Sequence, residues 1–217
     1  MSHSLEKSIS TQRWRRRKDA RPGEIVDAAL TLFVERGFAA TRLDEVAREA
    51  GISKGTLYLY FKNKEDLFRA VVQELVLPEL DKAEKMIDSH DGSAEALLRQ
   101  LVKEWWRNVG ESRLSGIPKL IISEAGNFPE LARFFVDAVV LRGRHLFVRV
   151  IEKGIATKEF RRCDVFYTAR ALTAPLVFSV IWKHSLAGYD KESYDANKFI
   201  DAHLEMFING LRMTSGK

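Results

Sequence analysis

Residues 51–64, G-I-S-K-G-T-L-Y-L-Y-F-K-N-K, are the stretch whose reading decides the rest of the chain. Its spacing predicts a short helix over residues 53–60. Leu57 and Phe61 lie four residues apart and so share one side, the inner face. Lys54, Thr56, Tyr58 and Leu59 fall on the outer face. Gly51 supplies the left-handed backbone that a tight turn between helices needs, and so ends the helix before it. Two short helices joined by a glycine turn, the second with an exposed polar and aromatic face, make a helix-turn-helix. The second helix is of a size to enter a DNA major groove.

Upstream, Ile25, Ala28, Ala29, Leu32 and Phe33 recur at helical spacing and predict a buried stripe on a helix over 21–36, stopped by Gly37. Thr41 is expected to cap the next helix, with Asp44 three residues on as a capping-box-like pair. Leu43, Val46, Ala47 and Ala50 are its inner face. These faces, with Leu57 and Phe61, form one three-helix core. Downstream, Asn63 caps a fourth helix, with Glu65 and Asp66 in its first turn to complement the dipole. That helix is expected to run to about residue 88 and to bend near Pro78.

This segment resembles the DNA-binding domain of the TetR family of transcriptional regulators. The matching residues are I-x-x-A-A-x-x-L-F at 25–33, G-F at 37–38, T-x-x-x-x-V-A at 41–47, A-G-I-S-K-G-T-L-Y-x-Y-F at 50–61 and N-K-E-x-L at 63–67. Beyond them only the helix pattern and E-A-x-x-F-P-E-L at 124–131 resemble a subgroup of that family. The resemblance implies an all-α chain. It divides into a basic arm at 1–20, a three-helix DNA-binding domain at 21–67, and a six-helix ligand-binding and dimerisation domain at 68–217. It also implies a sequence-specific regulator, more often a repressor than an activator, that binds double-stranded operator DNA as a homodimer and responds to a small molecule.

The resemblance assigns phosphate contacts to Thr56, Tyr58, Tyr60 and Lys64, with Thr41 and Arg42 adding more from the start of the second helix. Hydroxyls and an ammonium beside free N–H groups at helix N-termini suit phosphate oxygens. Base reading falls to Lys54, which can donate to guanine, and to Leu59, suited to a thymine methyl. Gly55 lets the backbone come close. Tyr58 and Tyr60 have core packing as their alternative, and Lys54 a plain solvated role.

The chain has 217 residues, a net charge of +5 and 46% apolar residues, so it can bury a real core. The whole charge excess sits in residues 1–21, where seven Lys and Arg face Glu6 and Asp19. Arg15, Arg16 and Arg17 are candidates to dock on phosphate or in a minor groove; a solvated tail is the alternative. Cys163 is the single cysteine, so an internal disulfide is impossible and a reducing cytoplasm is expected. The N-terminal residues lack a signal-peptide pattern, and the most apolar run, 171–182, is too short to span a bilayer.

The rest of the chain reads as helices over about 94–109, 116–125, 129–153, 165–186 and 194–212, with Gly154 ending the third and Pro175 kinking the fourth. A polar loop is expected over 158–163, with Asp164 as the next cap. The helix at 165–186 is apolar on several sides, which fits either a central core helix or an interface. By resemblance the last two helices, the eighth and ninth, pair with their copies. Trp105, Trp106, Ile121, Phe134, Phe135, Phe178 and Trp182 could line a site for an apolar or aromatic ligand, with Glu124, Asn127 and His184 as polar candidates. They could equally be ordinary core.

An enzyme is disfavoured. Gly51–Gly55 matches G-x-S-x-G, but that elbow needs a preceding strand, and a helical pattern precedes it here. The five histidines are scattered, so no metal or cofactor is indicated. A nonspecific or architectural DNA protein using only the basic arm is the principal alternative.

Overall fold

The structure is a computed structural model describing residues 22–192 and 194–213. The arm, with Arg15, Arg16 and Arg17, lies outside the described residues. The chain divides into two compact units, with the boundary between Leu75 and Val76.

The first unit contains α1 (Pro22–Arg36), α2 (Leu43–Glu49), α3 (Lys54–Tyr60) and α4 (Lys64–Val71). The stop signals act as the sequence implies. Gly37 takes φ 90° and donates its N–H to the Phe33 carbonyl at 3.0 Å. Gly51 takes φ 69°; its N–H meets the Arg48 carbonyl at 3.1 Å, and the Ile52 N–H meets the Ala47 carbonyl at 2.9 Å. These two bonds make a Schellman turn, which satisfies the last carbonyls of α2 while reversing the chain. Ser53 then caps α3 by accepting from the Thr56 N–H at 3.1 Å, and Asn63 caps α4 through the Asp66 N–H at 2.7 Å.

One cap differs. Arg42, not Thr41, is the N-cap of α2, and Glu45 rather than Asp44 accepts its N–H, at 3.3 Å. The reason is that Thr41 turns inward, its hydroxyl donating to the carbonyls of Leu32 at 3.1 Å and Gly37 at 2.8 Å. The core contains the expected stripe and adds Val26, Leu30, Phe38, Leu67 and Phe68. Phe33, Phe38 and Phe68 meet pairwise with centroids 5.3–6.0 Å apart. Each buried ring stabilises the unit by about 1.5–3 kcal/mol. Leu43 and Ala50, expected inside, are only half-buried.

The second unit contains α5 (Leu77–Ser89), α6 (Ala94–Trp105), α7 (Gly116–Glu124), α8 (Pro129–Phe135), α9 (Leu141–Ala156), α10 (Val165–Lys183) and α11 (Ala196–Leu211). Three helices expected to be continuous carry π turns, at Val72–Val76, Trp106–Gly110 and Val136–Val140. The first has a cause in Pro78, which lacks an N–H and whose ring crowds the Glu74 carbonyl; a wider turn relieves both. In the second, Gly110 packs directly beneath the Trp106 ring, where a Cβ would collide.

Leu98, Leu101 and Val102 of α6, Val150 and Ile151 of α9, Leu172 and Leu176 of α10, and Leu204 and Ile208 of α11 form the core of this unit. Glu159 closes the start of α6, its carboxylate accepting the N–H groups of Ala94 at 3.0 Å and Glu95 at 3.2 Å. Gly154 does not end its helix, which continues to Ala156. Its missing side chain makes room for Phe160, which is 1% exposed. The loop at 158–163 therefore carries a buried plug and is not polar throughout. Among the described residues the β structure is a single bridge, Phe160 with Arg212.

Helix α10 extends well beyond the apolar run at 171–182. It has 19 residues, and an 18-residue window of it has mean hydropathy 1.4, so it is long and apolar enough to cross a membrane by length and composition alone. One stripe, with Ala169, Leu172, Leu176 and Val180, is buried within the chain. Phe166, Tyr167 and Phe178 are 45–66% exposed.

Candidate nucleic-acid interface and ligand cavity

The outer face of α3 is rigidly set. Leu57 anchors it in the core with no exposed surface, while Leu59 is 84% exposed and Tyr58 and Tyr60 are each 46% exposed. Tyr60 is thus held between its two readings, its ring 6.4 Å from that of Phe61. Lys54 and Gly55 are exposed at the first turn, and the Lys54 ammonium lies 6.0 Å from the Tyr58 ring. Thr56 is half-buried, its hydroxyl 2.8 Å from that of Ser53. Arg42 is exposed at the start of α2 and bonds to Asp44 at 3.2 Å, which holds the Asp44 carboxyl below its usual range. This surface offers a cation, hydroxyls and an apolar tip on one short helix, the chemistry of groove reading and phosphate contact.

Two candidates make internal contacts in this geometry. The Thr41 hydroxyl is buried and committed to two carbonyls, so it does not face outward. The Lys64 ammonium donates to the carbonyls of Ala39 at 2.9 Å and Thr41 at 3.0 Å, and lies 4.7 Å from the Phe38 ring centre. It pins the turn between α1 and α2. Sequence reasoning missed this because Lys64 and Ala39 are 25 residues apart.

Ser53, the serine of G-x-S-x-G, follows α2 rather than a strand and spends its oxygen on capping α3. A second Ser–His pair exists: Ser115 Oγ is 2.8 Å from His184 Nε2. The Ser115 hydroxyl donates to the Ser112 carbonyl at 2.7 Å, so the imidazole donates to the serine and does not activate it. Burial, then Lys183 and Lys119, lower the pKa of His184. Among the described residues no group of three or more His, Cys, Asp or Glu could hold a metal ion.

The second unit encloses a cavity of about 420 Å³, within the range of small-molecule sites. Trp105 and Ile121 line it as expected, and so does Phe135. Trp106, Glu124, Phe134, Phe178 and Trp182 do not. Trp106 turns into the core, 5% exposed, with its Nε1 bonded to nothing among the described residues. Glu124 is 8% exposed, and Asn127 reaches it at 3.5 Å. Phe178 is exposed on α10, its ring 6.0 Å from that of Trp182. A lone helical stripe cannot say which of its aromatics meets a void; that depends on how α5, α6, α7, α9 and α10 diverge. The wall is mostly aliphatic, with Leu80, Met86, Ile117, Val139 and Leu176 among its members. Its polar members, Glu79, Lys82, Glu104, Asn108, Arg144 and Thr173, escaped the sequence reading because none stands in a motif.

Comparison with known proteins agrees with this geometry. Residues 25–71 match the model for bacterial regulatory proteins of the tetR family, and residues 96–210 match the C-terminal domain model of AefR-like transcriptional repressors. The fatty acid metabolism regulator protein of Bacillus subtilis is 29% identical over 188 residues, covering 87% of this chain and 94% of its own. An uncharacterised HTH-type transcriptional regulator of the same organism, YfiR, is 31% identical, covering 66% of this chain and 70% of its own. Among solved structures, the Bacillus subtilis regulator FadR in complex with stearoyl-CoA superposes with a TM-score of 0.69 at 20% identity, covering 88% of this chain and 99% of that one.

Proposed function

Since the chain belongs to the TetR family of bacterial transcriptional regulators, we propose that it is a cytoplasmic, ligand-responsive repressor. It binds a near-palindromic operator as a homodimer and leaves it when a small, largely apolar molecule occupies the cavity of the second unit. The observation that carries this reading is the outer face of α3. Lys54, Tyr58, Leu59 and Tyr60 stand clear of a helix whose inner face is locked by Leu57. Two such helices in a symmetric dimer read half-sites one or more turns apart, hence the near-palindrome.

The uncovered apolar surface of α10, with Tyr167 and Phe178, and of α11, with Met206 at 75% exposure, supports pairing through these two helices. A helix apolar on all sides needs cover on all sides. The aliphatic wall supports an apolar ligand, and an acyl chain is one such body, in keeping with the name of the 29% identical relative. The ligand acts by favouring a dimer geometry that no longer fits the operator, which requires unequal affinity for the two states.

The test is fluorescence anisotropy with duplexes from the region upstream of the gene and a shuffled control, at two salt concentrations, followed by titration with apolar compounds. The expected result is about a thousandfold preference for one duplex, abolished by at least one compound. Equal, salt-sensitive binding to every duplex would replace this reading with that of a nonspecific DNA protein.

A further inference from the structure

The charged groups on the cavity wall are not equivalent. Glu79 bonds to Lys82 at 2.6 Å, and Glu104 bonds to Arg107 at 2.5 Å. Arg144 is half-buried on the same wall and makes no ion pair among the described residues. Its neighbours Arg142 and Arg149, on the same helix, are both engaged: Arg142 with Asp81 and Glu84, Arg149 with Asp88. The guanidinium of Arg144 instead lies 5.4 Å from the Phe166 ring centre, and that of Arg170 lies 5.0 Å from the same ring. Two cations thus share one aromatic ring, itself 45% exposed, and neither makes an ion pair among the described residues; of the three, Arg144 alone lines the cavity. Burial and the charge of Arg170 both lower the pKa of Arg144. A half-desolvated cation in this state gains most from an incoming anion, because a planar guanidinium binds a carboxylate or phosphate through paired hydrogen bonds.

We propose that Arg144, supported by Arg170, reads an anionic end on the ligand, so that the cavity selects amphiphiles with a carboxylate or phosphate head over neutral ones. This rests on the reading of the cavity as the ligand site and adds which residue discriminates there. The apolar body lies along Leu80, Met86 and Val139, and the head meets the guanidinium at Arg144.

The experiment is isothermal titration of the full chain with three probes sharing one tail: dodecanoate, dodecyl phosphate and dodecanol. The wild-type protein is expected to bind the two anions about tenfold or more tightly than the alcohol, as a charge-assisted pair implies. Arg144→Gln is expected to reduce that preference to near unity, and Arg144→Lys to retain part of it. Arg170→Gln, which alters a more exposed residue, is expected to lower the preference partially. Thermal melting and DNA affinity without ligand report on folding of each variant. A preference for carboxylate over phosphate, or the reverse, identifies the head group. If all three probes bind the wild type alike, or if Arg144→Gln keeps the anion preference, the assignment is overturned while the cavity reading stands. If none binds, the cavity reading fails and the assignment falls with it.

Discussion

Replacing Lys64 by alanine separates two roles that the same residue could play. In the structure its ammonium makes two charge-assisted hydrogen bonds, to Ala39 and Thr41, and faces the Phe38 ring at 4.7 Å. Each bond is worth about 1 kcal/mol, the value of an ordinary hydrogen bond, because the donor is half-exposed. The ring contact adds about 0.5 kcal/mol. Water recovers part of this when the lysine is removed, so the net loss is about 2 kcal/mol. The turn that sets α2 against α1 loosens by that amount. Thermal melting should fall by several degrees, since 1 kcal/mol corresponds to about 2–4 °C in a chain of this size. Affinity for every duplex should fall, by up to roughly thirtyfold if the whole cost is met on binding. The slope of log affinity against log salt should stay the same, because a lysine facing two carbonyls releases no counterion from DNA. A phosphate-clamping Lys64 would give the opposite pattern: unchanged melting and a slope shallower by about 0.9. That result in anisotropy titrations across a salt series would refute the pinning role. Lys54→Ala is the contrasting variant, expected to erode operator preference by about 1–3 kcal/mol with no change in melting.

Other outcomes follow from particular contacts. Gly154→Ala should destabilise the protein although alanine is the better helix former by up to about 1 kcal/mol, because the new methyl displaces the Phe160 ring and overpacking costs about 1–3 kcal/mol; a raised melting temperature in calorimetry would contradict this. His184 has a folded pKa below its ordinary 6.5, so the unfolded chain binds its proton first and stability falls as pH drops through 6.5 toward the folded value. His184→Gln should flatten that part of the melting profile, and an unaltered profile would show that the histidine is not responsible. Phe178→Glu, on the exposed side of α10, should shift sedimentation toward monomer; an unchanged oligomer would move the interface elsewhere.

Most of the first unit was legible because its signals are local. Gly37, Gly51 and Asn63 act through backbone within a few residues, so the glycine conformations and the cap of α4 read directly from the chain. The exception, Thr41, was misplaced as a cap by one position because its true partners lie across the turn, at Leu32 and Gly37. In the second unit the helices were legible from their apolar periodicity. The π turns were not: Pro78 accounts for the one at Val72–Val76, and at Trp106–Gly110 the Trp106 ring packs over the glycine.

The cavity marks the limit most clearly. Trp105 and Trp106 are adjacent and chemically identical, yet one lines the cavity and the other fills the core. A turn of 100° along a helix decides which, and only the packing of neighbouring helices fixes where that turn points. The same holds for Arg142, Arg144 and Arg149: the sequence presents three arginines on one helix, and the tertiary structure alone supplies carboxylates to two of them. By itself, then, the sequence determined the family, the all-helical class and the helix-turn-helix, because those rest on short-range backbone chemistry and spacing. The tertiary structure decided which side chains are spent on the fold and which remain for a ligand, because that depends on partners distant along the chain.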